Sequence, residues 1–354
     1  VFLLPDGRRV VPRTELTYPG ITPTVLTDKS ADPLKMSKNA IRTPVDHIMG
    51  DMEDACPYDL KGEPVRKTLA EALNTLDFGS KVVTWRPNNI RSGLFEADVE
   101  YMMRHAVDKF HGMVMPKPFG PDDVRYVLDI LHYCERVNKW KGKVALEVLI
   151  ETPRGLEQID AIGAELEKSG RGAGLIFGIA DFSSFLGIGN ILTDQHVYFS
   201  YAKQRTVIAA KAHGLHAIDN VYTRISRKTD SPQVVKEIEA GLREKNVKAA
   251  NMGMDGTWVI HPSQADIANA CFTPTDEEIT TYKRALEQSK TAGGGAVMDP
   301  QSGEMIDDAT IRIALQALSK AAQAGKVTWD YVRTMNTKLT EITGYDILGS
   351  GMPH

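Results

Sequence analysis

Short apolar runs rich in β-favouring residues return along the chain at Leu16–Tyr18, Val45–Met49, Lys81–Trp85, Gly112–Met115, Val144–Ile150, Gly174–Ile179, Leu215–Ile218 and Thr257–Ile260. Between them lie longer stretches, among them Val65–Leu76, Asp122–Val137, Leu156–Ser169, Tyr201–Ala212 and Val234–Lys245, in which apolar residues recur every three or four positions. That spacing builds one face of a helix. A strand that is apolar throughout must be covered on both sides, so its alternation with amphipathic helices predicts a parallel sheet wrapped by helices. Eight repeats fit an α/β fold of the (β/α)8 TIM-barrel type, which runs to about 250 residues as one unit. An open doubly wound sheet is the alternative, because strand order is not written in a single sequence.

The beat stops near residue 270. A helical pattern over Asp276–Lys290 leads into Thr291-Ala292-Gly293-Gly294-Gly295, and a second covers Asp308–Ala324. The expected organisation is a barrel over 1–272 and a C-terminal helical lid with its tail over 273–354. The glycine run at 291–295 reads either as a solvent loop or as a hinge. With 42 basic against 46 acidic side chains the formal charge is −4, which gives no support to a nucleic-acid or anionic-membrane partner. Cys56, Cys134 and Cys271 are far apart and form no C-x-x-C pair, and no run approaches the roughly 18 apolar residues of a membrane span. A cytoplasmic protein is expected. Neither a P-loop, a complete G-x-G-x-x-G nor an H-E-x-x-H occurs. His213 and His216, at a helix end around Gly214, read as surface or core histidines rather than metal ligands.

A parallel barrel carries its active site at the C-terminal ends of its strands, where the loops are free of the task of closing the core. The second apolar run is followed by Asp51-Met52-Glu53-Asp54, the third by Arg86, the fourth by Lys117, the fifth by Glu151, the sixth by Asp181, the seventh by Asp219 and the eighth by His261. One loop charge is ordinarily just solvated, but a ring of them at the ends of buried strands points to a site. Glu151 and Asp181 are 30 residues apart, one βα unit, which places them on neighbouring strands. Two carboxylates with open coordination positions suit Mg2+. The competing local reading makes Glu151 the cap of a helix starting at Pro153 and Asp181 the start of a turn. Arg86 would face the same mouth, either in an ion pair or against a developing enolate oxygen. Lys117, in Met115-Pro116-Lys117-Pro118, reads as a salt-bridge partner or as a Schiff-base nucleophile.

Taken together, the strand-end motifs resemble the citrate lyase β-subunit and HpcH/HpaI aldolase superfamily, and within it the malyl-CoA lyases, from Arg13 to about Ala324. Arg13-Thr14-Glu15-Leu16-Thr17-Tyr18-Pro19-Gly20 is similar to the family's opening R-S-x-L-x-x-P-G, and Asp51-Met52-Glu53-Asp54-Ala55 to its D-L-E-D-A. Trp85-Arg86-Pro87-Asn88, Met115-Pro116-Lys117, Glu151-Thr152-Pro153, Phe177-Gly178-Ile179-Ala180-Asp181, Ala217-Ile218-Asp219 and Ile260-His261-Pro262 follow in the family's order. Gly303-Glu304-Met305-Ile306-Asp307 resembles the G-x-M-I-D motif of the family's lid.

The resemblance implies a carbon–carbon lyase that splits malyl-CoA or β-methylmalyl-CoA into glyoxylate and acetyl- or propionyl-CoA by a reversible Claisen reaction. It implies Mg2+, with Mn2+ as a substitute, on Glu151 and Asp181. Glu53 and Asp54 would stand behind the metal, Arg86 on the substrate's oxygens, and Asp307 would be the acid/base, with Asp308 beside it as an ambiguity. It also turns the glycine run into a hinge and implies a homo-oligomer, a trimer-based hexamer whose lid covers a neighbouring subunit's site. Coenzyme A would enter as part of the substrate. Relatives often carry a basic residue after the first Pro-Gly, whereas this chain has Ile21-Thr22-Pro23, so the CoA phosphates would fall to Lys29, Lys35 and Lys38. Citramalyl-CoA lyase, malyl-CoA thioesterase and citrate lyase β-subunit are the neighbouring activities; a Schiff-base aldolase through Lys117 and a non-catalytic acyl-CoA-binding subunit are the more distant ones.

Overall fold

A computed structural model of the protein describes residues 2–4, 9–189, 195–293 and 295–343. Gly294 of the glycine run and the tail beyond 343 lie outside the described residues. The chain divides into two compact units, Val1–Gly7 with Val11–Asn269, and Arg8–Val10 with Ala270–His354.

In the first unit eight parallel strands close on themselves: β1 (Thr14–Pro19), β2 (His47–Asp51), β3 (Val82–Arg86), β4 (Gly112–Met115), β5 (Ala145–Ile150), β6 (Gly172–Phe177), β7 (His216–Asp219) and β8 (Gly256–Val259). Closure comes from β8 pairing with β1, Val259 opposite Leu16. The (β/α)8 barrel expected from the eightfold beat is therefore the fold observed. Its helices bury their apolar stripes; the helix Glu63–Thr75 does so through Val65, Leu69, Ala72 and Leu73, and each fully buried leucine contributes about 1.5–3 kcal/mol.

Side chains alternate across a strand, so every second residue enters the lumen. Met49, Val114, Leu149, Ile176, Ile218 and Trp258 meet there as one apolar layer. Two residues earlier on the same strands come His47, Glu147 and His216, and two residues later come Asp51, Glu151 and Asn220. An apolar middle layer thus separates a polar floor from a polar mouth.

One boundary differs from the sequence pattern. The sixth apolar run continues to Ile179, but β6 ends at Phe177 and the helix Ile179–Leu186 begins. Gly178 makes the turn: a Cβ there would stand 2.6 Å from the Cβ of Glu151. The early turn carries Asp181 into the first turn of the helix, where free backbone N–H groups favour a carboxylate.

The second unit packs the helices Asp276–Ala292, Asp308–Gln323 and Trp329–Thr343 around Leu286, Ile311, Leu315, Leu318, Val332, Met335 and Leu339. Its first helix opens on a capping box between Thr275 and Glu278 and ends at Gly293, whose φ of +74° is a left-handed cap. Thr291 and Ala292 of the glycine run are therefore helical. No helix among the described residues is long and apolar enough to cross a membrane.

Candidate active site and metal centre

The mouth is built from strand ends held at fixed heights by register. Asp51 and Arg86 stand opposite each other in the β2–β3 ladder. Arg86 donates from Nε to Asp51 Oδ1 at 2.8 Å and from Nη2 to Oδ2 at 2.6 Å, a buried bidentate pair. Asp51 also accepts from the backbone N–H groups of Glu53 and Ala55, which shapes the turn presenting Glu53 and Asp54. The remaining nitrogen, Arg86 Nη1, faces Glu53 at 3.4 Å and Asp54 at 3.8 Å. The guanidinium lies over the Trp258 ring, 5.4 Å from its centroid, an arrangement that favours a desolvated cation.

Lys117 follows β4 with a φ of +50°, a strained conformation for a side-chain-bearing residue. Its backbone N–H donates to Glu151 Oε1 at 2.9 Å. Its ammonium sits 3.0 Å from Glu53 Oε1, 2.9 Å from Asp54 Oδ2 and 3.5 Å from Asp181 Oδ2. Burial alone would lower its pKa, but Glu151, Glu53 and Asp54 outweigh burial and hold it above the ordinary lysine value. Burial pushes the Glu151 carboxyl well up, against the pull of Lys117 and Arg86, and Glu53 is raised for the same reason. Burial also works upward on Asp54, yet Arg86 and Lys117 prevail and keep it below the usual range. Five carboxylates and two cations thus share one partly desolvated mouth.

One oxygen each from Asp54, Glu151 and Asp181 lies within 4.8 Å of the others. Glu53 Oε2 is buried with no hydrogen-bond partner. Hard oxygen donors from separate strand ends, partly open to solvent, fit a magnesium-type cation. The structure puts Asp54 inside this group, alongside Glu151 and Asp181, rather than behind it with Glu53. Glu151 does not cap the following helix. Thr152 does, accepting from the Gly155 N–H.

Other residues singled out in the sequence fall elsewhere. Asp219 is fully buried between Lys203 at 2.9 Å and Lys245 at 3.0 Å. Burial pushes its carboxyl up, and the two ammonium groups overcome this to hold it at about 2. His261 caps the short turn Pro262–Gln264. His213 pairs with Glu167 at 2.8 Å, and His216 enters the barrel lumen. Lys29 and Lys35 are exposed, and Lys38 pairs with Asp32 at 2.7 Å. In the second unit Asp307 caps the helix Asp308–Gln323, its carboxylate accepting from Thr310, and Asp308 is the first residue of that helix. The role of Asp51 was not legible in the tetrad Asp51-Met52-Glu53-Asp54, where three carboxylates look alike; the ladder register with Arg86 singles it out.

The model of the HpcH/HpaI aldolase/citrate lyase family matches residues 29–262. The chain belongs to this family. Among curated relatives, the L-malyl-CoA/β-methylmalyl-CoA lyase of Rhodobacter capsulatus is 26% identical over 333 residues, 89% of this chain and 96% of the relative. The mitochondrial citramalyl-CoA lyase of Mus musculus is 32% identical over 271 residues, 74% of this chain and 75% of the relative. A citrate lyase structure from Burkholderia xenovorans LB400 superposes with a TM-score of 0.71 at 20% identity, covering 93% of this chain and 97% of that one. The structure of CitE from Mycobacterium tuberculosis in complex with magnesium, acetoacetate and coenzyme A gives 0.65 at 21% identity, covering 88% and 98%. At these identities the solved structures establish the shared fold. Family membership together with the carboxylate cluster supports a carbon–carbon lyase of the HpcH/HpaI type.

Proposed function

We propose that this chain catalyses the reversible, divalent-metal-dependent cleavage of L-malyl-CoA to glyoxylate and acetyl-CoA, and of β-methylmalyl-CoA to glyoxylate and propionyl-CoA. The observation that carries the reading is the convergence of Asp54, Glu151 and Asp181 from three strand ends beside Arg86 and Lys117. The similarity to the Rhodobacter lyase over most of both chains supports the choice of substrate.

Glu151, Asp181 and Asp54 would hold Mg2+, or Mn2+ in its place. When bound, the ion polarises a keto-acid carbonyl as a Lewis acid and keeps the keto acid beside the thioester. In cleavage the substrate hydroxyl gives its proton to water, the alkoxide oxygen becomes the glyoxylate carbonyl, and the electron pair of the breaking carbon–carbon bond passes to the thioester enolate. Arg86, locked on Asp51 and unable to lose its charge, offsets the charge on the enolate oxygen. Asp307 then gives a proton to the enolate carbon, and in synthesis it removes that proton. The Thr310 N–H holds the Asp307 carboxyl below its usual range, so at neutral pH it stands ready as the base of synthesis and takes up a proton from solvent before it serves as the acid of cleavage. Lys29, Lys35 and Lys38 are assigned to the CoA phosphates. The resemblance extends the proposal to a trimer-based hexamer in which the C-terminal unit serves as the lid of a neighbouring subunit, checked by light scattering in solution.

The test follows glyoxylate release from L-malyl-CoA with EDTA, without it, and with Mg2+ restored. Metal-dependent release supports the reading. No release from malyl-, β-methylmalyl- or citramalyl-CoA overturns it. The mouse citramalyl-CoA lyase, at 32% identity, favours one second reading, with pyruvate in place of glyoxylate. One methyl in a pocket discriminates by about 1–3 kcal/mol, so the ratio of kcat/KM on the two substrates decides. The carboxylates around Lys117 keep it charged, which opposes Schiff-base chemistry; borohydride with pyruvate should leave the protein mass unchanged.

A further inference from the structure

A second group of ligand-type side chains lies at the floor of the barrel lumen, apart from everything the proposed lyase reaction uses. Glu15 of β1, His47 of β2, Glu147 of β5 and His216 of β7 enter it from the N-terminal parts of their strands, all at 0–1% exposure. His47 Nδ1 is 3.2 Å from Glu15 Oε1 and 3.9 Å from Glu147 Oε2. His216 Nε2 is 2.6 Å from Glu147 Oε1 and 3.9 Å from Glu15 Oε1. One atom each from Glu15, His47 and Glu147 falls within 4.8 Å of the others.

These groups are short of partners. Oε2 of Glu147 and Nδ1 of His47 have no hydrogen-bond partner, the Glu15 carboxyl turns to the Glu147 side chain, and among the described residues no lysine or arginine pairs with either glutamate. Each unsatisfied buried polar atom costs about 1–3 kcal/mol, and a charged one more, which favours a cation or a proton between these groups. His47 is oriented for that purpose. Its Nε2 is hydrogen-bonded to Thr84 Oγ1 at 2.6 Å, which turns Nδ1 toward the two carboxylates; in the tautomer with the proton on Nε2, Nδ1 presents them a lone pair. A lone pair facing carboxylate oxygens at this distance is repulsive unless a cation or a proton intervenes.

The surroundings are built to fit. A Cβ on Gly174 would stand 2.1 Å from the His216 ring, so a glycine there is what admits the imidazole. A register shift between β5 and β6 falls at Leu146/Glu147. The Phe2 ring covers both imidazoles, edge-on to His47 at 5.2 Å and tilted over His216 at 5.5 Å.

We propose that Glu15, His47, Glu147 and His216 form a closed structural site for a divalent transition metal, foremost Zn2+, which ties four strands together across the barrel floor. Imidazole and carboxylate are both ligands that Zn2+ accepts, and four of them with no open position would close a four-coordinate site, whereas Mg2+ prefers oxygen ligands and retains waters.

The test uses the whole chain with the mouth disabled by Glu151→Gln and Asp181→Asn, produced in medium supplemented with Zn2+ or Co2+ so that the sealed floor loads during folding. After exhaustive dialysis against EDTA, about one metal ion per chain is expected. Absorption spectroscopy at the zinc edge should show imidazole in the metal's shell, and the Co2+ form should show the visible bands of four-coordinate nitrogen and oxygen ligation. Adding His47→Gln should abolish retention. A folded, mouth-disabled protein that retains no transition metal overturns the proposal and leaves protons shared between the carboxyl groups as the account of the cluster. Retention that survives His47→Gln together with His216→Gln, or a shell of oxygen alone, overturns it as well. The zinc-edge spectrum needs no floor variant, so the decision stands even where those variants fail to fold.

Discussion

The two ends of the barrel lumen are made from the same strands and differ in what balances their charge. β2 supplies His47 to the floor and Asp51 to the mouth, while Glu147 at the floor and Glu151 at the mouth stand two strand periods apart, in β5 and just past its end. At the mouth, Arg86 and Lys117 lie among the carboxylates, and the side chains of Asp54 and Asp181 remain 49% and 33% exposed. At the floor no such cation appears among the described residues, and exposure is nil. Burial pushes Glu15 up to about 8 and His216 down to about 4. The comparison teaches that a carboxylate cluster's role depends on compensation and access. Fixed cations and solvent suit an ion and a substrate that come and go, whereas a sealed cluster suits a permanent occupant.

The sharpest way to break this comparison is to exchange the expected losses. Glu151→Gln removes a proposed metal ligand at the mouth and should lower kcat/KM for malyl-CoA on the order of 10^3-fold, since metal polarisation is worth several kcal/mol. Its melting temperature should fall little, because the substitution removes a charge from an already carboxylate-rich mouth. His47→Gln should do the reverse, lowering the melting temperature while keeping kcat within a few-fold. Steady-state kinetics and calorimetry on both variants check this, and a floor variant with a mouth-sized kinetic defect would erase the distinction.

Asp307 should behave like the mouth without belonging to its ion-binding group. Asp307→Asn keeps an equally good helix cap, so stability should be unchanged, whereas proton transfer should slow by about 10^2–10^3-fold. Mg2+ affinity, read by calorimetric titration, should match wild type. A loss of metal binding would place Asp307 among the ligands instead of at the reacting carbon.

The fold was legible because its signal is local. Eight continuous apolar runs and the helices between them needed no knowledge of strand order beyond their count. That Glu151 and Asp181 stand at the same end of the barrel was legible for a related reason: Glu151 directly follows its buried strand, and Asp181 lies in the first turn of the helix that follows its own. The grouping of Asp54 with them was not, since the neighbouring Asp51, Glu53 and Asp54 differ only in which way the turn points each one. The floor stayed hidden for a deeper reason. Glu15 stands just before its apolar run, and His47, Glu147 and His216 fall within theirs, so each looks like an isolated exception until closure brings four separate strands together. The boundary at Phe177 was misplaced because apolarity continues to Ile179, while the turn depends on Gly178 fitting against Glu151.

Those two glycines allow one chemical change to be made at each end. Gly174→Ala forces a methyl against His216 and should cost about 1–3 kcal/mol of stability, as overpacking does, with kcat retained. Gly178→Ala forces a methyl against the Cβ of Glu151 and should weaken Mg2+ activation more than it weakens the fold. Thermal melts and Mg2+ titrations of activity on the pair measure both effects, and identical behaviour at the two ends would count against a division of labour within the lumen.

The smallest effect belongs to charge outside the lumen altogether. Lys38 and Asp32 form an ion pair with both side chains near 40% exposure, at 43% and 42%. Such pairs are worth about 0–1 kcal/mol, so Lys38→Ala should leave the melting temperature within error. If Lys38 also meets CoA phosphates, the KM for malyl-CoA should rise about two- to five-fold at low salt and converge on wild type as salt shortens the roughly 10 Å range of exposed charge. The Glu151→Gln defect should not respond to salt in this way, because burial shields that carboxylate from mobile ions. Measuring both variants across one salt series separates a surface that guides the substrate from a mouth that transforms it. A salt-insensitive rise in KM for Lys38→Ala would mean that the lysine acts within a desolvated contact and belongs to the binding site proper.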